Sequence, residues 1–262
     1  MSGYDVDQSL LLFRRQYLQL FEPDFLSWPP QKLLRTTDTQ AWLHKYLFDG
    51  NRDTRLPPTW YQARVLKALL SKIEGAVENT EEASRRLSSH LATLTSSELP
   101  IEGHAVQEKA YVTFTCLPDH GKVDEDSSRE PTITLLERRY LVSGSRITGY
   151  RTWEASLHLG SYLLSEAGKD IVRGKNILEL GAGTGFLSLL CAKHLQANHV
   201  TTTDGDEGVV EALQENFELN DLAKEQVMAR ALSWGDNLDT TWVKQDCETR
   251  PYDIVIGADI VS

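Results

Sequence analysis

Three glycines alternate in Leu180-Gly181-Ala182-Gly183-Thr184-Gly185-Phe186, directly after Asn176-Ile177-Leu178-Glu179 and before the helical pattern of Leu187-Ser188-Leu189-Leu190-Cys191. The run reads as strand, tight turn and helix. Glycine accepts left-handed backbone and lets a ligand approach without meeting a Cβ, so a turn of this kind suits a nucleotide-like, adenosine-containing molecule. Two ligands compete for it. A dinucleotide fingerprint places its third glycine where Phe186 stands, whereas here the third glycine, Gly185, comes one residue early. Glu179 at the strand end would repel a pyrophosphate but tolerates a cationic ligand without phosphate. Both features favour S-adenosylmethionine. A βα turn that binds nothing is the remaining alternative.

Asp204 closes the segment Thr201-Thr202-Thr203-Asp204, about 20 residues beyond the last glycine, where a carboxylate can accept both hydroxyls of a ribose. An aspartate there also serves as a helix cap, although Asp206 is the better placed cap. Leu232-Ser233-Trp234-Gly235 follows a third strand pattern, and Trp234 either presents an apolar wall to an adenine or packs within its own loop.

The elements that must position these residues alternate. Strands are expected at 175–180, 199–203, 227–232 and 252–258, with helices at 185–196 and 207–219, which makes a parallel sheet with right-handed crossovers. Its strand ends should gather around the glycine turn. Ahead of it, Gly149-Tyr150-Arg151-Thr152-Trp153-Glu154 leads into a helix carrying Ala155, Leu157, Leu159, Tyr162 and Leu163, placed to lid the cofactor.

The first 100 residues have a different pattern. Leu10, Leu11, Phe13, Tyr17, Leu18 and Phe21 return to one helical face. Further helices are expected around Trp42 to Leu47, after Pro57-Pro58 with Val65, Leu66, Leu69, Leu70 and Ile73, and from Glu81 to Leu94. Their aromatic residues are read as core. After Pro100 the period changes to two, with strands at Tyr111–Cys116 and Thr132–Val142 flanking the polar, acidic segment from Asp119 to Pro131, read as a loop. The expected domains are a helical region at 1–100, a β-hairpin at 101–146 and a nucleotide-type α/β domain at 147–262.

Composition narrows the function classes. With 40% hydrophobic and 25% charged residues the chain is an ordinary globular protein able to bury a core. It has no apolar stretch of the ~20 residues needed to cross a bilayer and no basic signal-peptide start. The cytosol is the expected compartment. Cys116, Cys191 and Cys247 are far apart and lack a CxxC pair or a histidine cluster, so neither a disulfide framework nor a metal site is expected. A net charge of −11 argues against broad binding to a nucleic-acid backbone.

The series Gly149 to Trp153, Leu178 to Gly185, Thr203-Asp204, Asn216 with Asn220, Ser233-Trp234-Gly235 and Gly257-Ala258-Asp259 resembles the seven-stranded protein-lysine methyltransferases. With the helical region ahead, the whole chain is similar to the elongation factor 2 lysine methyltransferases. The resemblance implies a Rossmann-like sheet and transfer of methyl groups from S-adenosylmethionine to a lysine of elongation factor 2. It puts the donor's methionine part on the turn of Glu179, Gly181, Gly183 and Gly185, and the ribose on Asp204. Ser233 and Trp234 fall at the adenine, Trp153 forms the wall of the donor site, Ala258 lies beside the cofactor, and Asp259 begins the family's Asp-x-x-Tyr motif at the lysine pocket. It further implies a monomer when complete, with neither nucleic acid nor membrane as partner.

Two departures accompany it. Ser262 stands where the motif has its tyrosine, and the family's sheet continues for three more strands, so the chain is expected to be a C-terminally shortened member with an apolar edge strand at 253–257 and a tendency to aggregate. A catalytically silent binding module, or a methyltransferase for another protein, is the rival reading.

Overall fold

The structure, a computed structural model, describes residues 6–75, 82–96, 109–117, 130–138, 148–235 and 241–260. The chain divides into two compact units, Met1–Phe114 and Thr115–Ser262, and the division falls inside the 101–146 segment.

The first unit is helical, with α1 (Gln8–Leu18), α2 (Gln31–Leu34), α3 (Thr37–Leu43), α4 (Thr59–Glu74) and α5 (Glu82–Ser96). Local chemistry sets these boundaries. Asp7 accepts the Ser9 N–H at the start of α1, Thr36 caps α3, and Pro57-Pro58 precedes α4, whose first turn can spare the missing N–H. A π-helical turn, His44–Phe48, continues α3 and swings Leu47 and Phe48 inward. The expected apolar faces meet there: Phe13, Tyr17, Phe48 and Tyr61 are almost fully buried, with ring centroids 5.4 Å apart for Tyr17 and Phe48 and 5.5 Å for Tyr17 and Tyr61. Rings at that spacing add edge and offset attraction to the gain from removing apolar area from water. Strand β1 (Ala110–Thr115) runs to the boundary.

The second unit carries β2 (Thr132–Glu137), α6 (Glu154–Leu164), α7 (Glu166–Val172), β3 (Asn176–Leu180), α8 (Phe186–Lys193), β4 (His199–Asp204), α9 (Glu207–Leu219), β5 (Val227–Ala231), α10 (Trp242–Thr249) and β6 (Ile254–Gly257). Four strands form a parallel sheet in the order β5-β4-β3-β6, with Leu178 level with Thr201 on one side and with Val255 on the other. All four C-terminal ends therefore open on the same edge, where an open α/β sheet places its ligand crevice. Strand β2 lies outside this sheet and docks on α9: the Asn220 amide accepts the Thr134 N–H at 3.1 Å and donates to the Thr134 carbonyl at 2.7 Å, as a neighbouring strand would.

Most expected elements are present with ends within a few residues. Helix α10 between the third and fourth parallel strands is an addition: its Trp-Val-Lys-Gln-Asp-Cys-Glu-Thr sequence has one buried apolar residue, Val243, so it lacks an apolar stripe to read. The expected helix after Trp153 is α6, and a second short helix, α7, is added behind it, where Ser165 leaves the first helix and caps the next through Gly168. The expected strand Thr132–Val142 is described as far as Glu137; its continuation, most of the acidic segment 119–131 and Ser262 lie outside the described residues. Cys116, ahead of that acidic segment, lies beside Pro131 at its far end, its N–H donating to the Pro131 carbonyl at 2.8 Å. No described helix is long and apolar enough to cross a membrane.

Candidate functional site

A cleft of about 490 Å³ opens at the C-terminal edge of the sheet, between the glycine turn, the ends of β4, β5 and β6, and the Thr148–Ser156 segment. Eight of the ten expected site residues come together there. Gly181, Gly183, Asp204, Ser233, Trp234, Ala258, Asp259 and Trp153 all line it. Glu179 and Gly185 do not.

Gly183 has φ +54°, and a Cβ on it would sit 3.3 Å from the Gly149 carbonyl oxygen; at Gly181, also left-handed, a Cβ would crowd Ile260 at 3.1 Å and Trp234 at 3.6 Å. The turn is thus a cradle whose floor is bare backbone, and a side chain would fill it. Gly185 does something else. At φ +82° it is the residue before α8, and a Cβ there would lie 2.6 Å from Leu213 and 3.3 Å from Phe217, so this glycine lets α8 and α9 pack.

Glu179, expected on the ligand side of the strand end, points into the protein and is 2% exposed. One of its oxygens accepts the Ser188 N–H at 3.0 Å and the Ser188 hydroxyl, and Thr202 donates to that hydroxyl at 2.6 Å. The carboxyl therefore holds the first turn of α8 against β3 and β4. Burial pushes it up to about 7, opposed by the Ser188 bonds and helped by the nearby Asp204. Strand alternation decides this: neighbouring side chains on β3 point to opposite faces, and the glycine turn bends away after Leu180.

Asp204 is half-buried and already organised. One carboxylate oxygen accepts the Gly183 N–H at 3.1 Å and the other the Asp206 N–H at 3.1 Å. A carboxylate has about four lone-pair positions, so acceptor capacity remains for two hydroxyls facing the cleft. Capping is left to Asp206, which accepts the Val209 N–H at 3.0 Å. Trp234 is 56% exposed at the rim, not packed in its loop. Trp153 is fixed by its indole N–H on the Thr148 carbonyl at 3.1 Å, with the Arg151 guanidinium 5.0 Å over its ring. Asp259, exposed, adopts φ +58°, a left-handed conformation uncommon outside glycine, asparagine and aspartate.

The cleft also uses Thr152, Thr184, Arg151 and Ile260, which sequence reasoning did not single out. Thr184 stood inside the glycine motif and Arg151 and Thr152 inside the Gly149–Trp153 run; Ile260 carried no local signal. Among the described residues no group of histidine, cysteine and acidic side chains could hold a metal ion.

Comparison with known proteins agrees with this geometry. A family model described as lysine methyltransferase matches residues 140–262. The chain is 43% identical over 248 residues to "Protein-lysine N-methyltransferase EFM3" of Chaetomium thermophilum, covering 94% of this chain and 71% of that one. It is 35% identical over 154 residues to the EFM3 protein of Saccharomyces cerevisiae, and 39% identical over 119 residues to "EEF1A lysine methyltransferase 3" of Mus musculus. The matches cover 53% and 45% of this chain and 42% and 46% of those two proteins, less than half of their length. The cofactor that goes with this family is S-adenosylmethionine, and the bare-backbone cradle beside the Asp204 carboxylate fits it. With its cleft, its parallel sheet and these relatives, the chain belongs to the protein-lysine N-methyltransferase family.

Proposed function

We propose that this protein methylates a lysine of elongation factor 2, using the cleft at the sheet edge for the donor. The observation that carries the donor half is the pairing of the glycine cradle with Asp204, whose two oxygens are held in place by Gly183 and Asp206. S-adenosylmethionine supplies an electrophilic methyl group on a sulfonium centre. The chain's own residues bind and orient: Asp204 takes the ribose hydroxyls, Ser233 and Trp234 the adenine, and Gly181 and Gly183 the methionine part. The remaining work concerns a proton. A free lysine has a pKa near 10.4, so about one in 10³ is uncharged at neutral pH. Asp259 at the cleft attracts the ammonium and orients the amine, and Trp153 walls the site so that nitrogen, methyl carbon and sulfur align.

Elongation factor 2 is the substrate implied by the resemblance of the whole chain, helical region included, while the mouse relative is named for elongation factor 1A. The test is transfer of labelled methyl from S-adenosylmethionine to each purified factor in parallel. Label on elongation factor 2 alone supports the proposal; label on elongation factor 1A alone replaces the substrate. No label on either, with S-adenosylhomocysteine binding retained, points to a silent binding module.

A further inference from the structure

We propose that Glu137, on a strand outside the parallel sheet and outside the cleft, is a positioning residue for the donor site, acting through Thr152 and Thr184. The inference rests on the reading of the cleft as that site. Glu137, Thr152, Thr184 and Asn216 are all buried, and they close a ring of hydrogen bonds. Thr152 Oγ1 donates to Glu137 Oε1 at 2.6 Å and stands 2.7 Å from Thr184 Oγ1. Asn216 Nδ2 donates to the Thr184 carbonyl at 3.0 Å, and Asn216 Oδ1 accepts the Leu136 N–H at 2.8 Å, which returns the ring to β2.

The chemistry orders the ring. A threonine hydroxyl has one proton, and Thr152 spends its own on Glu137, so its oxygen must accept from Thr184. Thr184 therefore donates to Thr152, and the carboxylate at the end of the chain sets the direction of both hydroxyls. Both threonines line the cleft: Thr184 lies between Gly183 and Gly185, and Thr152 directly precedes Trp153. The next residue on β2 reinforces the hold, with the Arg138 N–H donating to the Tyr150 carbonyl at 2.9 Å. One buried acid on β2 thus ties the glycine turn to the segment that carries Trp153. Such a network, fully satisfied, selects one geometry, and removing Glu137 takes the acceptor from the Thr152 hydroxyl while removing the Thr184 hydroxyl cuts the turn from the chain.

Two measurements on the full chain test this: titration with S-adenosylhomocysteine, and hydrogen exchange of the 182–185 and 150–153 amides without ligand. Glu137→Ala and Thr184→Val should each weaken binding roughly ten-fold, the equivalent of one lost buried hydrogen bond, and each should speed exchange in both segments. Their effects should not add in the double variant, because both break one chain. Glu137→Gln, which keeps an oxygen acceptor for Thr152, should restore affinity and protection. Lower melting temperature with unchanged affinity and unchanged exchange in those segments would overturn the proposal, as would additive effects. If Glu137→Ala does not fold, Thr184→Val and Glu137→Gln decide it. If the unaltered chain does not bind S-adenosylhomocysteine, the reading of the cleft fails, and the exchange measurement still decides whether Glu137 positions the turn.

Discussion

Asp204 and Gly183, 21 positions apart, are joined at the mouth of the sheet by one hydrogen bond of 3.1 Å from backbone to carboxylate. That contact makes the second parallel strand and the glycine turn one unit, because β4 can place its terminal carboxylate only when β3 runs beside it in register. The consequences can be measured.

Replacing Asp204 by alanine removes both the expected ribose acceptor and the partner of Gly183. Affinity for S-adenosylhomocysteine should fall by about 10- to 100-fold, the range for losing hydrogen bonds to a charged group. Calorimetric titration checks this. Unchanged affinity would mean that the ribose is held elsewhere.

The two outer roles of the glycine turn should separate. Gly185→Ala strains a left-handed residue and drives a Cβ into Leu213, so it should cost about 1–3 kcal/mol of stability. Gly183→Ala, whose Cβ would enter the cradle, should weaken donor binding more than it lowers the melting temperature. Thermal melts and titrations of both variants, compared side by side, decide the assignment.

Glu179 predicts a pH dependence with a definite sign. Its carboxyl is raised from 4.5 to about 7 in the folded protein, so the unfolded chain releases its proton first and folding favours the protonated form. The contribution is complete below pH 4.5 and is lost as pH rises through about 7, at about 1.4 kcal/mol per pH unit between the two values. Glu179→Gln removes this titration. Between pH 5 and 8 the unaltered chain should lose more melting temperature than the variant, and parallel curves would show that the carboxyl does not titrate there.

Asp259 is expected to serve the acceptor and not the donor. Asp259→Ala should lower labelled methyl transfer by about ten-fold or more, as for loss of a group that positions a reacting amine, while S-adenosylhomocysteine affinity stays within about two-fold. Transfer by the unaltered chain should rise from pH 7 to 9 as more lysine is uncharged. A loss of donor affinity in the variant would move Asp259 to the cofactor.

The periodicities were enough to place the helices of the first unit other than α2 and all four parallel strands, because an apolar face at period 3.6 and an apolar run of five or six residues are local signals. The glycine turn, Asp204 and Asp206 were legible for the same reason. Helix α10 was not, since it buries one residue, Val243. Glu179 was identified as a site residue from its position in the motif, yet its side chain faces Ser188.

Sequence alone thus determined the order of strands and helices, the left-handed turn and the type of ligand that such a turn admits, since those depend on residues within reach of one another along the chain. Tertiary structure decided which side chains face the cleft and which hold it from behind. Gly181 and Gly183 floor the cradle while Gly185 spaces two helices, and Glu137 reaches Thr184 through Thr152. The physical reason is that burial and hydrogen-bond partners are set by segments tens of residues apart, brought together by the crossovers of the sheet, and no local spacing encodes them.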